Sequence, residues 1–204
     1  MKFQTRLPTL AKQRRRHKAP MPTVWVLTDD QRLADPIAVA TAIPKGWGLI
    51  FRHYDAINRI DLASRTAAVC RSRGIILHVA GDWRLANQVG ASGVHVQDKT
   101  VRHQLLAPMQ LWRLQGKRMT VSAHGSKGLA QARSLRADAA LLSPVYVTLS
   151  HPNKRPLGAM RFSALARLAR LPVFALGGVK LSEKKRLDAL GASGIAGIGF
   201  LKMP

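Results

Sequence analysis

Cysteine, acidic side chains and long apolar runs are all scarce in this chain of 204 residues. Cys70 is the single cysteine, which excludes an intramolecular disulfide and a zinc site built from cysteines alone. No apolar run approaches the roughly 18–20 residues of a membrane-spanning helix, and residues 1–22 lack the apolar stretch of a signal peptide. These absences predict a soluble protein of the reducing cytoplasm.

Basic residues are abundant, and 33 Lys and Arg face 10 Asp and Glu, a formal net charge of +23. Residues 1–22 are basic, contain no acid and are broken by three prolines, so we predict a flexible arm there and one domain over 23–204. Such charge attracts phosphorylated metabolites, acidic lipid and nucleic acid alike. No aromatic–basic RNA motif accompanies it, so nucleic-acid binding through residues 2–18 is a less favoured alternative.

Short β-rich runs alternate with amphipathic helical stretches from Thr23 onward. Eight such runs are predicted strands: residues 23–28, 48–53, 75–80, 93–96, 119–124, 139–145, 173–176 and 195–200. Asp35, Asp82 and Ser182 are predicted to begin helices, and a helix over about 101–114 is predicted to be disturbed by Pro108. Eight strands separated by helices predict an α/β fold, a compact (β/α)8 TIM barrel in a single domain. A doubly wound sheet would give the same alternation with fewer strands.

Polar and glycine residues follow several of these strands, where barrels of this type bind ligands. Glycines there let a phosphate approach backbone N–H groups, and hydroxyl side chains in the same region can donate to its oxygens. The candidate ligand-binding residues at these strand ends are Arg52, Ser122, Thr148, Ser150, His151, Gly177, Gly178 and Gly199.

His124 is the candidate catalytic residue, because it ends the fifth predicted strand on the expected active face. An imidazole can take up and release a proton near neutral pH. The alternative is a histidine that only closes the barrel with hydrogen bonds. No cluster of acids, histidines or cysteines predicts a metal site.

Six segments in order along the chain carry a resemblance to the thiamine phosphate synthase/TenI family. They resemble the family's motifs GADGVH, V-S-x-H, G-P-V-F-x-T, P-L-G, A-I-G-G-I and G-A-x-G-I-A. The corresponding segments in this chain are residues 90–95, 121–124, 143–148, 156–158, 175–179 and 191–196.

The resemblance implies a (β/α)8 barrel that acts in thiamine biosynthesis on a thiazole phosphate. The family's synthase joins a pyrimidine pyrophosphate to thiazole phosphate with the help of Mg²⁺, and its TenI branch includes a thiazole tautomerase. The thiazole phosphate is expected on Thr148, Ser150, Gly177, Gly178 and Gly199. His124 aligns with the tautomerase's proton-moving histidine.

Departures from the synthase pattern favour the tautomerase. Tyr54 stands where the family has a lysine, Ala80-Gly81 stand in place of its Asn-Asp, and His151 replaces another lysine, while Asp98 is a doubtful metal ligand. We therefore expect a TenI-like enzyme without a metal. One alternative is a divergent synthase that uses Mg²⁺. The other is a non-catalytic protein that binds a phosphorylated metabolite or nucleic acid. The sequence is also compatible with a homo-oligomer.

Overall fold

Eight parallel strands close into a barrel in which each strand pairs with the next along the chain and β8 pairs with β1. The computed structural model describes residues 20–97, 106–148 and 155–201. The strands are β1 Val24–Leu27, β2 Gly48–Phe51, β3 Ile76–Ala80, β4 Gly93–Val96, β5 Arg118–Ala123, β6 Ala139–Leu142, β7 Val173–Leu176 and β8 Gly194–Gly197. The predicted (β/α)8 architecture is confirmed.

Helices surround the barrel and connect its successive strands. They are α1 Pro36–Ala42, α2 Arg59–Arg73, α3 Trp83–Gln88, α4 Leu106–Arg113, α5 Ser126–Ser134, α6 Gly158–Leu168 and α7 Lys184–Ala189. None of the helices in the described residues is long and apolar enough to cross a membrane.

Two of the predicted helix starts are confirmed by their capping hydrogen bonds. The Asp35 carboxylate accepts from the backbone N–H groups of Ile37 and Ala38, at 2.9 and 3.0 Å, and Pro36 takes the first helical position. Asp82 caps α3 in the same way, by accepting from Arg84 and Leu85. Each cap satisfies N–H groups that have no partner within the helix.

The predicted start of the seventh helix was wrong. Ser182 does not cap α7, because it lies inside a short 3₁₀ turn, Leu181–Glu183, that precedes the helix. The Glu183 carboxylate instead reaches back to accept from the backbone N–H of Lys180 at 2.9 Å. Pro108 is the third residue of the described part of α4, and residues 101–105 of the helix predicted there lie outside the described residues.

Small residues inside the barrel make room for large neighbours. A Cβ added to Gly48 would collide with the Trp25 ring, and one added to Gly194 would come within 2.8 Å of the Phe174 ring. Trp25 and Phe174 are both buried. The barrel interior is therefore filled by side chains, and the open space lies where the strands end.

Candidate functional site

A cavity of about 610 Å³ opens at the carboxyl ends of the strands. It lies beside β1, β2, β6, β7 and β8, so it occupies one side of the barrel mouth. Its lining residues are Asp29, Asp30, Gln31, Arg32, Arg52, Ser143, Pro144, Thr148, Leu176, Gly177 and Ile198. The lining combines two guanidinium groups, two carboxylates, two hydroxyls and a glycine turn with apolar side chains. The guanidinium, hydroxyl and backbone groups suit the phosphate of a phosphorylated ring compound, and the apolar side chains suit its ring.

Arg52 is held at this mouth by the end of the neighbouring strand. The buried Thr28 hydroxyl accepts from the Arg52 backbone N–H at 2.9 Å and lies 3.0 Å from His53 Nδ1. The His53 Nε2 atom in turn lies 3.0 Å from the carbonyl oxygen of Ala34. These bonds fix the backbone from which the Arg52 guanidinium projects into the cavity.

Asp29 organises the cationic side of the cavity. Its carboxylate accepts from the backbone N–H groups of Gln31 and Arg32 and from Arg32 Nη2 at 3.2 Å, and it lies 3.7 Å from Arg52 Nη2. Partial burial alone would raise the Asp29 pKa, but the hydrogen bonds from Arg32 and Gln31 and the Arg32 charge outweigh it, so the pKa is lowered. The ionised carboxylate therefore holds both arginines near one another.

Gly177 and Gly178 directly follow β7, and Gly177 lines the same cavity as the arginines. Both have positive φ angles, +89° and +68°, which glycine adopts without strain. Their backbone N–H groups donate no hydrogen bond within the described residues, whereas the Gly177 carbonyl accepts from Tyr146 N–H at 2.9 Å. Gly177 and Thr148 line the same cavity, so a backbone turn and a hydroxyl border the space that is open to an anion.

The two glycines differ in what surrounds them. Gly177 lines the cavity, but Gly178 packs against the backbone of Tyr146 and Val147, and a Cβ there would collide with the Val147 carbonyl. A larger side chain at Gly178 would thus displace the segment that carries Thr148. The need for glycine at this position is explained by backbone packing as well as by access for a ligand.

His124 lies outside the mouth cavity. Its side chain is exposed, and its Nδ1 atom lies 2.9 Å from the Ser143 carbonyl oxygen and 3.3 Å from the Ser143 hydroxyl. It borders a second cavity of about 470 Å³, which is lined by the start of α5 with the preceding Gly125 and by one residue of α6. The lining residues are Gly125, Ser126, Lys127, Gly128, Gln131 and Arg161. Ser143 lines the first cavity and contacts His124, so it separates the histidine from the mouth.

Ser122 is half-buried at the mouth end of β5. Its hydroxyl lies 2.9 Å from Nε2 of the buried His95. Among the other predicted residues, Gly199 is exposed beyond β8 with open space around its Cα, and Ser150 and His151 lie outside the described residues.

The rim between β2 and β3 is occupied by an arginine and a tyrosine. Arg59 Nε donates to the His53 carbonyl at 2.8 Å, and Arg59 Nη2 donates to the Ala80 carbonyl at 2.7 Å. The Tyr54 ring lies beside Gly81, and burial raises the pKa of its phenol. These neutral and cationic groups do not fit a Mg²⁺ ion, which prefers carboxylate oxygens. No group of three acids, histidines or cysteines suited to a metal occurs within residues 20–97, 106–148 and 155–201.

The sequence interpretation missed several residues of this mouth. Asp29, Gln31 and Arg32 line the cavity, and Arg59 closes the neighbouring rim. The first three directly follow the first predicted strand, so the strand-end rule that selected Arg52 could have found them. Arg59 could not have been found in this way, because it lies at the start of α2 and reaches back over the barrel.

The family model and three relatives by sequence point to the same family. The family model described as thiamine monophosphate synthase matches residues 25–201. A thiamine-phosphate synthase of Thiobacillus denitrificans is 32% identical over 155 residues, which cover 72% of this chain and 69% of that protein. A relative from Aquifex aeolicus is 26% identical over 88% of this chain and 97% of its own length. The thiamine-phosphate synthase of Parasynechococcus marenigrum is 29% identical, and this chain spans only 47% of its length.

A solved structure supports the same fold. Thiamine phosphate pyrophosphorylase from Pyrococcus furiosus superposes with a TM-score of 0.71 and 19% identity, over 85% of this chain and 84% of that one. The names of these relatives favour the synthase, which was the alternative in the sequence analysis, over the tautomerase.

Proposed function

This chain belongs to the thiamine monophosphate synthase family, and we propose that it acts as an enzyme on a thiazole phosphate bound in the mouth cavity. The observation that carries this proposal is the pairing, across one cavity, of Arg52 and Arg32 with the Gly177 turn and Thr148. Backbone N–H groups and a hydroxyl can receive the phosphate, and guanidinium groups attract anions into the mouth. The apolar Leu176 and Ile198 leave a surface for the ring.

The first candidate reaction is the joining of a pyrimidine pyrophosphate to the thiazole phosphate, because the relatives carry the synthase name. In that reaction negative charge develops on the departing pyrophosphate. Arg32 and Arg52, held by Asp29, are the described residues placed to stabilise this charge at the mouth. Mg²⁺ has no fitting set of ligands among the described residues, and we assign it no role here.

The second candidate reaction is the proton transfer of a thiazole tautomerase, and one observation favours it. The β2–β3 rim, where the family resemblance implies the metal and pyrophosphate contacts, is closed here by Arg59 and Tyr54. His124 is then the candidate proton carrier. Its position behind Ser143 requires that the substrate reach it from the edge of the mouth.

One experiment separates these candidates. The purified protein is given both phosphorylated substrates, with Mg²⁺ or with a chelator, and thiamine phosphate and pyrophosphate are measured. A parallel sample receives the thiazole tautomer alone, and its conversion is followed by absorbance. We expect thiamine phosphate to form. Conversion of the tautomer without any thiamine phosphate would favour the second reaction instead.

Two controls complete the experiment. His124→Asn should reduce the tautomerase rate about 10²–10⁴-fold if that reaction holds, the usual contribution of a general acid or base, and should leave synthase turnover nearly unchanged. Calorimetry with thiazole phosphate on the same samples tests binding by itself. Binding without either reaction would indicate a protein that only binds its ligand.

A further inference from the structure

The end of the barrel opposite the mouth carries a strong positive charge. Because the strands are parallel, the connections from each helix to the next strand lie together at the amino ends of the strands. We call the surface formed by these connections and by the last turns of the helices the amino-end face. Its exposed basic side chains are Lys45, Arg71, Arg73, Arg133, Arg136, Arg167, Arg170 and Arg186.

Acidic side chains are few on this face, and they are already paired. Within the described residues they are Asp138, whose carboxylate lies 2.8 Å from Arg113 Nη2, and Asp188, whose carboxylate lies 2.6 Å from Lys184 Nζ. The other described acids lie toward the mouth, in connections that follow strands or in the first turns of helices, and they are Asp29, Asp30, Asp35, Asp55, Asp61, Asp82 and Glu183. The amino-end face is therefore the cationic end of the barrel and attracts polyanions.

Two of its arginines adopt a backbone conformation that favours glycine. Helices α2, α3 and α7 are followed by turns whose left-handed residues are Gly74, Gly90 and Gly191, with φ angles of +68°, +70° and +95°. Arg136 takes this place after α5 with a φ of +52°, and Arg170 takes it after α6 with a φ of +51°. In the described part of the chain, no other residue with a side chain has a positive φ. Such angles are uncommon for residues with a Cβ, because the Cβ crowds the backbone.

The turn after α5 does not need the arginine side chain. Arg136 N–H donates to the Arg133 carbonyl at 2.8 Å, and Ala137 N–H donates to the Ala132 carbonyl at 2.9 Å. Gly191 and the residue after it make the corresponding two bonds to the end of α7. Because both bonds use backbone atoms alone, glycine at position 136 would keep them and would remove the strain.

The side chains of Arg136 and Arg170 offset this strain with no contact that the structure describes. Both are exposed, and within residues 20–97, 106–148 and 155–201 neither forms an ion pair or a side-chain hydrogen bond. They lie on neighbouring connections, because β6 and β7 pair with Ala140 opposite Val173. Strained backbone of this kind concentrates where a side chain is used for binding.

We propose that the amino-end face around Arg136 and Arg170 binds the phosphate backbone of a nucleic acid. Arginine predominates over lysine on this face, and its guanidinium pairs with phosphate through two N–H donors in a fixed geometry. A fixed position matters for phosphates that are held at a set spacing along a strand, whereas lipid headgroups can move to meet a charge. No Phe, Tyr or Trp of the described residues is exposed for a base to stack on, so binding should not depend on base sequence.

The proposal is independent of the proposed reaction, whose cavity lies at the other end of the barrel. Fluorescence anisotropy of the full-length protein with a short labelled RNA duplex tests it. The wild type should bind with an affinity that falls steeply as the salt concentration rises. Wild-type protein that does not bind the duplex would overturn the proposal, and binding to vesicles of anionic lipid in its place would indicate a membrane surface instead.

The double variant Arg136→Gly/Arg170→Gly tests the two arginines. We expect its affinity for the duplex to fall about tenfold or more, and the slope of log affinity against log salt to decrease by about two, because two phosphate contacts are lost. Its melting temperature should rise, since glycine adopts these φ angles without strain. Weaker binding together with a lower melting temperature would mean that the arginines hold the turns, and would overturn their role in binding.

Two further double variants locate the effect. Arg136→Lys/Arg170→Lys keeps both charges and should retain the salt dependence of the wild type. Arg84→Ala/Arg161→Ala removes two exposed arginines from the first turns of α3 and α6, near the mouth, and should bind within about threefold of the wild type. An equal loss in this variant would show that the net charge as a whole attracts RNA. Unchanged affinity in the glycine variant would assign the binding to residues 2–18, and either result would overturn the proposal.

Discussion

At the scale of single residues, the mouth cavity combines two ways of holding an anion. Arg52 and Arg32 contribute full charges, and the Gly177 turn contributes backbone N–H groups next to the Thr148 hydroxyl. Full charges act over several ångströms and attract any anion, whereas N–H and hydroxyl donors require a definite oxygen position. We therefore assign selectivity for a phosphate to the Thr148 and Gly177 side.

Replacement of Thr148 tests this assignment. Thr148→Val removes the hydroxyl with little change in volume, and we expect thiazole phosphate to bind about tenfold more weakly, since hydrogen bonds to charged groups contribute about 1.5–3 kcal/mol. Isothermal titration calorimetry measures the change. Thr148→Ser keeps the hydroxyl and should bind within about twofold of wild type. Equal affinity in the valine and serine variants would exclude Thr148 from the phosphate site.

Gly178→Val would be a poor test of the same site. A side chain there collides with the backbone of Tyr146 and Val147, so the segment leading to Thr148 would move. Any loss of binding would then have two causes. Sequence reasoning identified the glycine pair but could not separate these roles, because the packing partner lies some thirty residues earlier in the chain.

At the scale of elements, the local sequence was sufficient to predict a helix start wherever the capping hydrogen bonds join residues that are close in the chain. Asp35-Pro36 and Asp82 could be recognised as helix starts because the caps involve residues only two and three positions further on. The start of α7 could not be recognised in this way, because serine is as suitable a helix-capping residue as aspartate and Ser182 still does not cap the helix. There the Glu183 carboxylate, which accepts from Lys180, selects a 3₁₀ turn.

The Asp35 cap allows a direct test of element stability. Asp35→Ala leaves two N–H groups of α1 without their acceptor, so we expect the free energy of unfolding to fall by about 1 kcal/mol. Urea denaturation at neutral pH measures it. Asp35→Asn keeps an oxygen acceptor and should lose much less. A loss as large in the asparagine variant would show that the carboxylate acts through its charge and not as a cap.

Strand ends were predictable, but the direction in which a residue faces after the strand was not. Ser122 and His124 were both assigned to the active face because they alternate along β5. Ser122 lies near the carboxyl end of β5 in contact with the buried His95, whereas β5 ends at Ala123 and His124 borders the cavity beside α5. Alternation holds only while the backbone stays extended, so it could not place a residue beyond the strand.

At the scale of the whole molecule, the basic arm is predicted to be dispensable for the fold. Residues 1–19 lie outside the described residues, and residues 20–22 precede β1. Because residues 1–20 have few apolar side chains, deleting them should leave the melting temperature nearly unchanged. Differential scanning calorimetry of the two proteins measures this. A fall of several degrees would show that the arm packs on the barrel.

The buried histidines make the stability of the whole barrel depend on pH. In the folded state the pKa values of His78 and His95 are lowered from 6.5 to about 3, mainly because burial disfavours the charged ring. Between those two values the unfolded chain binds protons that the folded chain does not. The stability contributed by the neutral rings is therefore complete above pH 6.5 and decreases as the pH falls.

This linkage predicts an early loss of stability in mild acid. Each histidine should cost about 1.4 kcal/mol per pH unit below 6.5, or about 2 kcal/mol at pH 5, where most carboxylates are still ionised. Urea denaturation at pH 7.5, 6.5, 5.8 and 5.0 measures the slope, and the wild type should lose about 4 kcal/mol over this range. His95→Gln and His78→Gln, each with one titrating ring left, should show about half that slope. A flat profile in the wild type, or an unchanged slope in both variants, would mean that these two rings are not the neutral, buried groups responsible for the pH dependence.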